Sequence, residues 1–210
     1  MQTTFISIVI IGKNEGRNLS RLWASLAPLA DRWPCETVFV DSASTDDSVA
    51  VGRELFDTVI VLEPSPHLNA SAGRHVGLSF ARGSWILFLD GDMELMPDCI
   101  DSLAEHFGRG DPHRGAVGTY VNRFSDGSIR RWSPAIDRSG CVVHFGGAVV
   151  LSAQALRAES WDSRLYSNEE IELYSRLRQR GFCVQRLDVD FIAHWTASIP
   201  TRQKLIGNFT

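Results

Sequence analysis

Apolar and polar positions alternate along the first half of the chain in two distinct rhythms. Residues 5–11 are apolar and β-branched almost without a break, the pattern of a strand buried on both faces. Residues 12–16 interrupt it, and Leu19, Leu22, Trp23 and Leu26 then recur at helical spacing as far as Pro28. Residues 36–40 predict a second strand ending at Asp41, and Ser44-Thr45-Asp46-Asp47 predicts the capped start of a helix running through Leu55. A third strand is predicted over 58–62, a helix over 70–81, and a fourth strand over 85–89 that stops at Asp90. Such alternation implies parallel strands with helices on both faces. Ligands in sheets of this kind bind beyond the carboxyl ends of the strands, where Asp41 and Asp90 fall.

The second half is less regular. Its patterns predict a helix over 97–107, a strand over 116–121, and a hairpin over 122–132 turned at Ser125-Asp126-Gly127-Ser128. A strand-like run over 142–151 is interrupted by Gly146-Gly147. A helix is predicted over 168–180, stopped at Gly181, and a last strand over 184–192. With no internal repeat, low-complexity run or linker, the simplest expectation is one α/β domain over 1–210.

A formal net charge of −4 argues against a nucleic-acid partner, which calls for a basic face. It still permits a small phosphorylated ligand, because a bound metal ion can supply positive charge locally. Cys35, Cys99, Cys141 and Cys183 are widely separated with no C-x-x-C pair, so the expectation is buried thiols rather than a zinc cluster. Residues 1–4 lead straight into a strand without a basic region or cleavage signal, and no apolar run approaches the roughly 20 residues that span a bilayer. These features predict a cytoplasmic protein without a transmembrane segment, leaving peripheral association with the inner membrane face and a further C-terminal segment open.

Four places carry candidate chemistry. Asp90-Gly91-Asp92 puts two carboxylates where a buried strand meets solvent, with a glycine that admits a close ligand. Hard oxygen donors of this kind suit Mg²⁺ or Mn²⁺, although Asp and Gly also favour plain surface turns. Asp41 ends a strand and can accept hydrogen bonds from a base or ribose edge. Glu170 shares a helical face with Leu173, Tyr174 and Leu177, so it is either a general base aimed into a cleft or the reciprocal partner of a Ser167-x-x-Glu170 capping box. Glu172 can pair with Arg176 one turn on. His194 follows the last strand and is either a metal ligand or a partly buried histidine, and Trp132, Trp161 and Tyr166 either line a sugar site or pack.

Taken in order, these segments resemble glycosyltransferase family two, with its GT-A fold, over most of the chain. Ser7-Ile-Val-Ile-Ile-Gly-Lys-Asn-Glu15 resembles the family's first strand and its Asn-Glu turn, and Val40-Asp41-Ser42-Ala43-Ser44-Thr45-Asp46 its V-D-D-G-S-T-D segment. Arg74-His75-Val76-Gly77 resembles R-N-x-G, Gly146-Gly147-Ala148 an acceptor-side glycine segment, and Glu169-Glu170-Ile171-Glu172-Leu173 the E-D-x-D-L helix start with Glu for Asp at both acidic positions.

The resemblance implies a Rossmann-like, mostly parallel central sheet flanked by helices, with a nucleotide-binding half at about 1–95 and an acceptor-binding half at about 96–210. It also implies a Mn²⁺- or Mg²⁺-dependent transfer of a sugar from a UDP- or GDP-sugar to a glycan, lipid-linked or small-molecule acceptor, with inversion. Asp41 would then bind the base with Asn14 and Glu15 beside it, and Asp90 would face the ribose or the metal. Asp92 would hold the metal, joined by His194; Arg74 would contact the phosphates; Glu170 would be the base. The absence of a Q-x-x-R-W segment points away from a processive synthase. Two rivals stand beside this reading: a nucleotidyltransferase, and a catalytically inactive nucleotide-sugar-binding module.

Overall fold

Burial explains the sheet's first half, because its central strands carry apolar side chains on both faces. In the computed structural model, which describes residues 4–196, β1 (Ile6–Gly12), β2 (Cys35–Asp41), β3 (Thr58–Val61) and β4 (Trp85–Asp90) lie side by side and parallel in the order β3-β2-β1-β4. The register pairs Gly12 with Asp41 and Ile11 with Asp90, so the chain ends of three neighbouring strands meet at one edge. Residues 1–3 and the terminus at Thr210, read above for signals and anchors, lie outside the described residues.

Helices α1 (Gly16–Ser25), α2 (Ala27–Ala30), α3 (Ser48–Leu55) and α4 (Ala70–Phe80) connect these strands. The predicted helix beginning at Ser44 starts instead at Ser48, because Asp46 is committed elsewhere: its carboxylate accepts from the backbone N–H groups of Ser48 and Gly16, tying the starts of α3 and α1 together.

Beyond β4 the sheet becomes mixed. The second half contributes β5 (Met93–Leu95), α5 (Cys99–Arg109), β6 (Arg114–Phe124), β7 (Ile129–Trp132), β8 (Val149–Ser152), α6 (Ala153–Ala158), α7 (Glu169–Gln179) and β9 (Cys183–Thr196). β8 runs antiparallel to both β4 and β6, β6 runs parallel to the long β9, and β5 closes the edge against β9. The predicted hairpin forms, with β6 and β7 paired from Tyr120–Trp132 to Arg123–Ile129. The resulting α/β fold is the GT-A-like arrangement expected from the sequence.

Two expectations need correction. The strand-like run over 142–151 is a strand only from Val149, because residues 146–148 wrap around one side chain: the Tyr120 hydroxyl accepts from the Gly146 and Ala148 amides and donates to the Ala148 carbonyl. The cysteines are not all thiols. Cys141 and Cys183, 5.5 Å apart at Cα, form a disulfide, while Cys35 and the buried Cys99 are free. Sequence distance hid the pair, since chain segments 42 residues apart meet only through the sheet.

Candidate active site

A cleft of about 360 Å³ opens where β1 and β4 end, lined by Lys13, Glu15, Asn69, Asp90, Asp92 and His194 among others. Gly91 sits against the Glu15 side chain so closely that an added Cβ would lie 2.8 Å from its Cγ. The glycine between the two aspartates therefore lets this loop pack closely on the Glu15 side chain.

Asp92 and His194 converge. His194 Nε2 lies 3.1 Å from Asp92 Oδ2, and Nδ1 lies 3.0 Å from Asn122 Oδ1. The β9 register produces this, setting His194 between Met93 on one side and Asn122 on the other. The hydrogen bond to Asp92, opposed by burial, pushes the imidazole pKa up. In the imidazolium, Nδ1–H donates to the Asn122 amide oxygen and Nε2–H to the Asp92 carboxylate; loss of the Nε2 proton frees that nitrogen to ligate a cation beside Asp92.

Asp90 turns the other way. Its Oδ1 accepts from Arg74 Nη2 at 2.8 Å, and Arg74 Nη1 donates to Glu169 at 3.0 Å and lies 3.6 Å from Glu170. Arg74 is 1% exposed and its guanidinium lies 5.0 Å from the centre of the buried Trp161 ring. One buried cation thus holds three carboxylates from β4 and α7. Burial raises the Asp90 and Glu170 carboxyls above their ordinary values, and Arg74 opposes the rise in both. Of the three expected metal ligands, then, the structure brings Asp92 and His194 together and commits Asp90 to Arg74. Among the described residues no group of three or more His, Cys, Asp or Glu converges in a metal-holding arrangement. An aspartate and an imidazole nevertheless fit a Mg²⁺ or Mn²⁺ site whose other positions come from water and substrate phosphate oxygens.

The capping box does not form. The residue before α7 is Asn168, in the left-handed region at φ 58° with no side-chain cap, so Glu170 is not drawn back to Ser167. Its carboxylate instead faces Arg74. Glu172 does pair with Arg176, through two hydrogen bonds of 2.6 and 2.7 Å.

Other expectations fall differently in space. Asp41 is fully buried beneath the cleft, its carboxylate accepting from the amide and hydroxyl of Ser44, and it does not line the cavity. Asn14, at φ 60°, accepts from the Thr45 amide at 2.8 Å and joins the two rim loops. Glu15 lines the cleft with its carboxyl raised by burial. Arg74 lies behind the cavity wall instead of lining it. Trp161 packs under Arg74, whereas Tyr166 is exposed and bonds His67 Nδ1 and the Pro66 carbonyl at 3.0 Å each.

Glu169 and Gly147 also touch the Arg74–Asp90 pair, although the residue pattern alone did not mark them. A Cβ on Gly147 would collide with the Asp90 carboxylate and lie 2.7 Å from Arg74 Nη2. Four residues before Leu173 and eight before Leu177, Glu169 lies on the buried stripe of α7, a placement that was readable from spacing.

Against known proteins, the description "Glycosyl transferase family 2" matches residues 7–182. The chain belongs to that family. It is 36% identical over 98 residues to an uncharacterized glycosyltransferase of Rickettsia felis, a match covering 47% of this chain and 32% of the relative. To the undecaprenyl-phosphate 4-deoxy-4-formamido-L-arabinose transferase of Shewanella sediminis it is 29% identical over 139 residues, covering 61% and 40% respectively. The matched stretch thus spans 32% and 40% of these relatives' lengths. Among solved structures, S. aureus TarS 1–349 in complex with UDP superposes with a TM-score of 0.68 at 18% identity, over 91% of this chain and 60% of that one. A mycobacterial protein superposes with a TM-score of 0.69 at 19% identity, over 96% and 70%. At such identities the likeness concerns the fold alone, a GT-A-like α/β arrangement.

Proposed function

We propose that this glycosyltransferase moves a sugar from a nucleoside-diphosphate sugar to an acceptor hydroxyl, with inversion and with Glu170 as the base. The observation that carries the reading is the Arg74 hub, whose guanidinium holds both the helix-borne Glu170 and the strand-end Asp90, the latter lining the cleft that also carries Asp92 and His194. The TarS structure holding UDP supports a uridine donor, and the Shewanella relative's name supports a lipid-linked acceptor near a membrane. No helix among the described residues is long and apolar enough to cross a bilayer.

Within this reading, Asp92 and His194 hold a Mn²⁺ or Mg²⁺, which when bound supplies positive charge against the departing diphosphate. Glu170 accepts the acceptor's hydroxyl proton as that oxygen attacks the anomeric carbon, a contribution of about 10²- to 10⁴-fold. Its raised pKa makes it a better base than an exposed glutamate. Attack from the side opposite the leaving group inverts the anomeric centre.

The test is donor turnover, read as nucleoside diphosphate released, for the wild type, Asp92→Ala and Glu170→Gln. Both variants are expected to fold, to lose at least about a hundredfold in kcat, and Glu170→Gln to keep donor binding. Normal transfer by Glu170→Gln removes it as the base, and pyrophosphate as the released product points to nucleotidyl transfer.

A further inference from the structure

Beside the donor cleft lies a second one of about 500 Å³, between the start of α1, the tip of the β6–β7 hairpin and the end of β9. Among the described residues its walls include Arg17, Arg21, Arg123, Phe124 and Trp195 and no acidic residue, in a protein whose net charge is −4. Two of the arginines share one ring: the Arg21 guanidinium lies 4.1 Å from the Trp195 ring centre and that of Arg123 lies 5.5 Å from it.

Such a pair repels itself, and the local compensation is incomplete. Arg21 is held by Glu94 and donates to Asn18 Oδ1 at 2.9 Å, so its position is fixed. Among the described residues Arg123 and Arg17 form no ion pair, and Arg123 Nε is buried with no hydrogen-bond partner. A buried guanidinium N–H without an acceptor is costly unless an anion arrives to take it. Arginine forks match phosphate oxygens two at a time, and the Trp195 face keeps the Arg21 fork oriented.

The two clefts are neighbours across a thin wall. Asn18, which lines the second, donates to Glu15 Oε2 of the first at 2.5 Å. Trp195 follows the donor-cleft residue His194 and donates its backbone N–H to the Asp92 carbonyl at 3.0 Å.

We infer that the Arg17–Arg21–Arg123–Trp195 cleft is a phosphate-binding subsite, distinct from the donor cleft, that takes the phosphate group of a phosphorylated acceptor. The word acceptor rests on the transfer proposed above; the phosphate chemistry does not. A phosphate seated there accepts from Arg123 and Arg17 and relieves the repulsion across the Trp195 ring. The same phosphate chemistry occurs on a lipid-linked sugar phosphate and on a soluble sugar phosphate, both of which keep a sugar hydroxyl for the transfer.

The experiment is calorimetric titration of the full chain in EDTA, where the acids of the donor cleft repel phosphate, with geranyl phosphate and with glucose 6-phosphate. The wild type is expected to bind at least one, and the tighter of the two names the source. Arg123→Gln, and Arg17→Gln at an exposed position that tolerates change, are each expected to weaken that binding about tenfold or more. Binding of neither phosphate by the wild type, or wild-type affinity in the two variants, overturns the subsite. A thermal-shift measurement with UDP-sugars and Mn²⁺ runs alongside. Donor stabilisation in a wild type that binds neither phosphate strikes the subsite alone, and phosphate binding in a wild type that no donor stabilises strikes the donor reading alone.

Discussion

Ala43 holds a left-handed backbone, φ 58°, in the turn where Ser44 donates its amide and hydroxyl to Asp41. A side chain there costs roughly 1 kcal/mol that glycine does not incur, and the resembling family segment carries glycine at that position. Ala43→Gly should therefore raise stability by up to about 1 kcal/mol, partly offset by the unfolded-state entropy of glycine; a lower melting temperature would show the strain to be absent. Glu170 offers a test by pH. Burial raises its carboxyl above 4.5 and the neighbouring Glu169 charge adds to the rise, while Arg74 opposes it. A base must be deprotonated, so the acid limb of kcat/KM belongs above the ordinary glutamate range. Glu169→Gln removes one negative neighbour and still offers Arg74 an amide oxygen, so the limb should move to lower pH. A limb that stays put or moves upward separates Glu170 from the rate. At this scale the sequence marked the acids well and their partners poorly. Asp90, Asp92, Glu170 and His194 stood out as polar groups at strand ends or on an apolar face. That Asp90 faces Arg74 while Asp92 faces His194 depends on which strand lies on each side, which no local pattern contains.

The elements show where local patterns suffice. β1, β2 and β4 were legible as largely apolar, β-branched or aromatic runs and α4 from its periodicity, because burial on both faces or on one stripe writes itself into spacing. β5 has only three residues and exists because β9 pairs with it, so the sequence carried no signal for it. The loop over 133–148 is the harder case. It is shaped by the Tyr120 hydroxyl at one end and by the disulfide from Cys141 to Cys183 near its middle, both contacts from distant chain. The disulfide clamps this loop to the start of β9, and the loop carries Gly147 against Asp90 and Arg74. For a closed loop of this length the chain-entropy estimate is about 4 kcal/mol. Cys141→Ser with Cys183→Ser should accordingly lower the melting temperature by several degrees, remove its sensitivity to dithiothreitol, and speed amide exchange over 133–148. If dithiothreitol leaves the wild-type melting temperature and loop exchange unchanged, the disulfide carries no such constraint.

At the scale of the fold, Arg74 ties β4, α4 and α7 together by charge. Two of its partners, Glu169 and Glu170, belong to the irregular half of the chain and the third, Asp90, to the regular half. Removing one member of a buried ion cluster costs about 3–5 kcal/mol, because the charges left behind have neither water nor partner. Arg74→Met keeps most of the side-chain length and leaves Asp90, Glu169 and Glu170 mutually repelling. The loss should depend on pH with a definite sign. In the wild type Asp90 and Glu170 already have folded pKa values above their ordinary ones, and losing Arg74 drives both further up. A carboxyl raised in the fold stabilises it below the unfolded pKa, and that contribution disappears as pH rises through the folded value. The melting-temperature gap between wild type and Arg74→Met should thus be widest near neutral pH and narrow as pH falls toward about 5. A gap that is constant over that range would mean that Arg74 acts through its packing on Trp161 and not through its charge.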